Sequence, residues 1–222
     1  MPDQPSFWTF SAQVLPRILV GFRLTIELTL LAGVGGLTIG LLLAAGRVSP
    51  WAAARNAARV YIAIFRGTPL LLQILFTYFA LPSLGVRLDA FPAGVLALSA
   101  NSGAYFAEIL RAAIESIDRG QTEAARALGM SRDQTMWRII LPQTYRRLIP
   151  PVVNELAALS KDTSLVSVIT LGEAMYVTQR LGATYLRPWE VYAWAALGYL
   201  TIVLVLSSVA SRLEARLAAQ GG

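Results

Sequence analysis

The chain has 222 residues, of which 55% are hydrophobic and only 14% charged, with a net charge of +6 and neither Cys nor His. A soluble domain averages about 25% charged residues, so this composition suits a membrane and excludes a disulfide framework, Cys- or His-ligated metal sites and a Ser-His-Asp relay. The only lysine, Lys161, follows no glycine-rich loop, so the chain cannot build a G-x-x-x-x-G-K-[ST] phosphate cradle, and if its function uses ATP through such a loop another subunit must bring it.

The N-terminal segment, MPDQPSFWTFSAQ, carries no Lys or Arg. It lacks the basic region of a cleaved signal peptide, so the first apolar segment is expected to persist as a span. That segment runs from Leu24 to Gly46 with only Glu27 charged, after a lead-in from about Leu15 that reads as irregular or interfacial. Glu27 stands four residues after Arg23, an i,i+4 pair at the membrane interface. Ala32, Gly36 and Gly40 form a small-xxx-small series, open to two readings: close approach of a neighbouring helix, or ordinary membrane-helix flexibility. An arginine-bearing helix over 52–65 follows, and Thr68-Pro69 is expected to break it from the charge-free stretch Gly67 to Val86. A third stretch, Ala90 to Ala107, is uncharged and ends at Glu108. A fourth, interrupted by Glu155, Lys161 and Asp162, spans roughly 149–177, and a fifth, Val191 to Ser211, has no charge. A short amphipathic tail ends the chain.

At about 20 residues per transmembrane helix, the expected fold is all-α: a single polytopic membrane domain over 1–222 with five spans, roughly 15–46, 60–81, 90–109, 149–177 and 191–211. Five spans put the termini on opposite sides. Thirteen arginines lie in the connections 47–66 and 111–147 and in the tail, against five in the alternate connections. The positive-inside rule then places the N-terminus outside, the C-terminus inside and the 111–147 loop in the cytoplasm. The same distribution accounts for the basic charge without nucleic acid.

Within that loop, residues 119–143 read RGQTEAARALGMSRDQTMWRIILPQ. Thr122 is a candidate cap for a helix over 123–128 that Gly129 ends. Ser131 with Gln134 is a capping box opening a second helix, which Pro142 is expected to close. Glu123-Ala124-Ala125, three residues, Gly129, nine residues, Ile139, one residue and Leu141-Pro142 resembles the EAA loop of ABC importer permeases. FRGTPLLLQILF (65–76), SGAYFAEILRAAIESIDRGQTEAARALGMS (102–131), LPQTYRRLIPPVVNE (141–155) and KDTSLVS (161–167) resemble the polar amino-acid permeases, the histidine, arginine, glutamine and glutamate type. The family's usual five spans with the N-terminus outside agree with the arginine count.

The resemblance implies a permease of the bacterial cytoplasmic (inner) membrane, paired with an identical or paralogous second permease. Two ATP-binding subunits carry ATP and Mg, and an extracytoplasmic binding protein delivers a polar amino acid. This chain is then a transport subunit, not an enzyme, with no cofactor or metal of its own. It also implies that Glu123, Ala124, Ala125 and Gly129 form the cytoplasmic coupling helix docked on the ATPase. Polar side chains inside a span face a cavity or another helix, which makes Thr68, Asn101, Ser102, Asn154 and Glu155 candidates for the substrate pathway. Tyr105 and Glu108 continue one helical face from Asn101. Helix-to-helix hydrogen bonding is the alternative for each of these polar residues. Lys161 and Asp162, in the KDTSL segment, read as structural or gating. Two other function classes remain: an ATP-independent channel or secondary transporter, and a membrane enzyme with few candidate carboxylates.

Overall fold

The computed structural model describes residues 6–219, and side chains within that range through 216. The first five residues of the N-terminal segment and the last three of the tail lie outside the described residues. Every regular element among the described residues is helical.

The first helix, α1, is Phe7–Val48, 42 residues long. The lead-in expected to be irregular is helical: Ser6 caps α1 by accepting from the Thr9 amide at 3.3 Å, and Pro16 lies inside the helix. α2 (Ala52–Gly67) ends where Thr68 turns extended, at φ −121° and ψ 148°. The cause is Pro69, whose ring disfavours helical geometry in the residue before it. α3 (Leu70–Leu75) then leaves at a sharp angle and continues through a π turn, Phe76–Ala80, and a 3-10 turn, Leu81–Leu84. The two limbs meet at 106°, so the second candidate segment, roughly 60–81, is a bent pair broken at Thr68-Pro69, where the sequence places the break.

α4 is Ala90–Glu115, α5 is Arg119–Ala127 and α6 is Arg132–Thr135. Pro142 does not close the second loop helix. α6 runs through a π turn, Met136–Ile140, into α7, Leu141–Asp162, with Pro142 in the first turn of α7. The Leu141 amide reaches back to the Met136 carbonyl. That widened ladder accommodates a ring that a regular helix interior would reject. The expected fourth span is also divided. α7 gives way to a 3-10 stretch, Thr163–Ile169, and Thr170 takes a left-handed φ of 60°. α8 (Ala174–Tyr185) then starts afresh. α9, Pro188–Ala219, carries the fifth candidate span and most of the tail as one helix.

Among the described residues two helices, α1 and α9, are long and apolar enough by themselves to cross a membrane; the bent pair Ala52–Gly67 and Leu70–Leu84 has the length and composition of a broken span or a re-entrant loop. Large apolar side chains on their outer faces stay uncovered, Val34 and Leu42 on α1 being 68% and 69% exposed. In a chain whose core is well packed, apolar faces of this extent mark contact with lipid or another subunit. One core cluster joins Leu28 and Ala32 of α1 to Ile74 of α3, Leu98 of α4 and Leu159 of α7. A second joins Phe10, Val14, Ile18 and Phe22 of α1 to α8 and α9.

The most extensive helix pairing is α1 on α4, and the small-residue series produces it. A Cβ added at Gly36 would meet Ser102, and one at Gly40 would lie 2.6 Å from the Phe106 Cβ and 3.1 Å from the Ala107 amide nitrogen. The glycines thus serve close approach. Gly40→Leu is expected to destabilise the chain by at least about 2 kcal/mol through overpacking at a backbone contact, read as a lower thermal midpoint of the detergent-purified protein. Gly46→Ala is the control, because its Cβ would meet only ordinary contacts at 3.4 Å and beyond.

Candidate functional site

The bend between α2 and α3 leaves carbonyls at the end of α2 without helical donors, a need common to all helix ends. Gln73 meets it. Its Nε2 donates to the Phe65 carbonyl at 2.9 Å, the Thr68 carbonyl at 3.1 Å and the Thr68 Oγ1 at 2.9 Å. Asn101 of α4 joins this set, its Nδ2 donating to Gln73 Oε1 at 2.9 Å and to the Phe65 carbonyl at 3.2 Å. A chain of two amides therefore ties the elbow to α4. Gln73 escaped the sequence reading, although a lone amide in the charge-free stretch 67–86 is the kind of costly polar residue that marks such a site.

The elbow, α4 and α7 line a half-open cavity of about 360 Å³, bounded by Thr68, Pro69, Leu70, Asn101, Tyr105, Glu155, Ala158 and Asp162. This lies within the range of small-molecule pockets, roughly 300–1,000 Å³. Glu155, Ala158 and Asp162 fall at i, i+3 and i+7, one face of α7. Thr68, Asn101 and Glu155 are thus brought together, with Tyr105 and Asp162 beside them. Ser102 is elsewhere: it is buried in the α1–α4 seam, its hydroxyl 3.5 Å from the Ala32 carbonyl. Asn154 and Lys161 are exposed on other faces of α7 and do not line the cavity.

Beyond Tyr105, Glu108 gathers arginines from three helices. Arg47 from α1 pairs with it, Arg111 from α4 approaches to 2.8 Å and Arg66 from α2 to 3.7 Å. Arg111 also donates to Glu115 at 2.5 Å. Arg47 and Arg66 are remote from Glu108 in sequence, so spacing could not have revealed the cluster.

Glu173 was missed altogether. It is fully buried where α1, α8 and α9 meet. Its carboxylate caps α8 by accepting from the Met175 and Tyr176 amides at 2.9 and 2.8 Å, and it also accepts from Tyr199 at 3.0 Å and Thr25 at 3.4 Å. An acidic residue at the N-cap of α8 is the local signal. Glu173→Ala strands two amides and two hydroxyls in a dry site, and is expected to cost about 3 kcal/mol or more. Thermal melts of the purified chain check this.

In the 111–147 loop the cap of α5 is Asp118, whose Oδ1 accepts from the Gly120 amide at 2.7 Å, so the helix starts a turn before the expected Thr122. Glu123 and Ala124 are exposed, and Ala125 is buried against the rest of the loop. The Met130 amide donates to the Ala125 carbonyl at 3.0 Å and the Gly129 amide to the Arg126 carbonyl at 2.9 Å. This is a Schellman ending, with Gly129 at a φ of 78°. Ser131 and Gln134 form the capping box reciprocally. Leu128 is left 83% exposed and Trp137 72% exposed, an apolar surface beside a rigidly terminated helix.

Residues 36–219 match the family described as the binding-protein-dependent transport system inner membrane component. The arginine transport system permease protein ArtQ of Bacillus subtilis (strain 168) is 39% identical over 211 residues, covering 94% of this chain and 96% of ArtQ. The glutamine transport system permease protein GlnP of Escherichia coli (strain K12) is 41% identical over 212 residues, covering 95% of this chain and 97% of GlnP. Among solved structures, an amino acid ABC transporter crystallised with histidines superimposes with a TM-score of 0.91 at 36% identity, covering 96% of this chain and all of that one. The chain belongs to the family of binding-protein-dependent transport system inner membrane components, as a permease subunit of an amino-acid ABC importer and not as an enzyme.

Proposed function

We propose that this chain carries a polar amino acid across the bacterial cytoplasmic membrane as one of a pair of permeases, the second identical or paralogous. The domain spans 1–222 and crosses five times, N-terminus outside and C-terminus inside, on the strength of the arginine distribution. The crossings are α1, the bent pair of α2 and α3, α4, α7 and α9. Partner ATP-binding subunits hold ATP and Mg beneath the 111–147 loop, and an external binding protein delivers the substrate.

The cavity between the elbow, α4 and α7 carries this reading. Two carboxylates of α7, the Asn101 amide and a hydroxyl at the elbow line the same cavity. Glu155 is the acceptor for a substrate ammonium, with Asp162 on the same face of the cavity. Thr68 and Asn101 hold the elbow, and Tyr105 bounds the space. Ser102 supports the α1–α4 seam, and Asn154, exposed beside Glu155, is available to substrate or to the second permease. Lys161 and Asp162 sit where α7 breaks into its 3-10 extension, the gating position for that segment. Glu123, Ala124, Ala125 and Gly129 are the coupling element: Ala125 packs α5 against the rest of the loop, and the exposed Ala124 and Leu128 side meets the ATPase.

The test is co-purification of the chain with its ATPase subunits, reconstitution in liposomes, and ATP hydrolysis measured against a panel of amino-acid-loaded binding proteins. Stimulation by at least one polar amino acid is expected. Failure of every polar amino acid to stimulate counts against the substrate class.

A further inference from the structure

Tyr105 bounds the cavity, and its ring is covered by Arg66, the guanidinium carbon lying 5.3 Å from the ring centroid. Arg66 belongs to the last turn of α2, immediately before the elbow. Its Nη1 is 3.7 Å from Glu108 Oε2, and Glu108 follows Tyr105 by one turn of α4. The elbow is therefore pinned to α4 twice: by the Gln73 and Asn101 amides beside the cavity, and by the Arg66 contacts one turn beyond them. We propose that Arg66, Tyr105 and Glu108 form a gate closing this cavity toward the cytoplasm. Arg66 is a positioning residue that holds the Tyr105 ring across the path.

The ion pairs around Glu108 explain how such a gate opens at low cost. A half-buried carboxylate that loses its partners is strongly destabilised. Glu108 has three, and the Arg66 contact is the loosest. Separating Arg66 leaves Glu108 neutralised by Arg47 and Arg111, while Arg66, whose side chain is 44% exposed, is rehydrated. Only the ring contact and the weakest ion pair are lost. Arg47 ends α1, and α4 leads within a few residues into α5, so movement of the loop is transmitted to Glu108 through the helix that bears it.

The proposal rests on the transport reading for which side is cytoplasmic, and the absence of cysteine from the chain permits a test that does not rely on transport. Ala158→Cys places a single thiol in the cavity wall. The chain is assembled with its partner subunits in inside-out vesicles, and labelling of this chain by a membrane-impermeant maleimide is timed without nucleotide. Adding Arg66→Met or Tyr105→Leu is expected to speed labelling about tenfold or more, the shift that losing a ring contact and an ion pair implies. Arg66→Lys, which keeps the cation, is expected to stay within about twofold. Equal rates across the set, or acceleration only when the reagent is presented from the opposite face, would overturn the gate. If Arg66→Met fails to assemble, Tyr105→Leu decides alone. Amino-acid uptake by the unaltered complex is measured in parallel: its absence sinks the substrate reading, whereas the labelling rates alone judge the gate.

Discussion

Gly129→Asp is expected to leave the chain folded and inserted while amino-acid-stimulated ATP hydrolysis by the assembled transporter falls to background. The expectation follows from how little the substitution disturbs within the chain. A Cβ at Gly129 meets nothing within 4 Å, so no internal clash arises. The φ of 78° penalises any L residue, by about 1–2 kcal/mol, but Asp is among the side chains that tolerate this region best. What changes is the surface: a carboxylate now stands beside Leu128, which is 83% exposed. If that surface is buried against an ATPase, an unpaired charge is desolvated there, and mismatches of this kind cost several kcal/mol. Gly129→Asn separates the contributions, because it carries the same backbone penalty without the charge and is expected to retain most coupled turnover. Normal coupled hydrolysis by the Asp variant would detach this turn from coupling.

The backbone features behind that prediction were legible because they are local. Gly129 after a helical run, and Ser131 with Gln134, specify their turns within a few residues. Thr68-Pro69 likewise announces its break, because proline constrains its own neighbour. Long-range features were hidden. Nothing in the sequence connects Glu108 with Arg47 and Arg66, since the cluster exists only once α1, α2 and α4 are packed. Glu173 lies at the edge of an apolar run that reads as one span, and the left-handed residue that turns the chain before this cap is Thr170, not the nearby Gly172. Pro142 misled for the opposite reason: its local rule is sound for a regular helix, and the π turn ahead of it suspends that rule. In the cavity, residue type was informative but side-chain direction was not. Asn154 and Glu155 are adjacent and equally polar, yet the helical step of α7 turns one to the cavity and the other to the surface.

That contrast makes Glu155 the sharper test of the cavity. Glu155→Gln keeps the shape and removes only the charge, so the wall and the elbow stay intact. A carboxylate that hydrogen-bonds a substrate ammonium contributes about 1.5–3 kcal/mol, and its loss is expected to raise the apparent KM for the amino acid roughly ten- to a hundredfold. Transport should persist at high substrate, because Asp162, one helical face along, remains in the cavity. Stability should hold or rise slightly, since removing one of two carboxylates that share a half-buried space relieves their repulsion. Asn101→Leu predicts the opposite pair of results. It strands Gln73 Oε1, which loses the donor that now reaches it at 2.9 Å, and leaves the Phe65 carbonyl with Gln73 Nε2 alone. That is expected to cost about 1–3 kcal/mol of stability, with transport falling because the elbow moves. Measuring the thermal midpoint and the apparent KM of both variants separates a wall that recognises substrate from a scaffold that shapes it. An unchanged KM in Glu155→Gln would remove the carboxylate from substrate contact and leave the cavity a packing feature of the elbow.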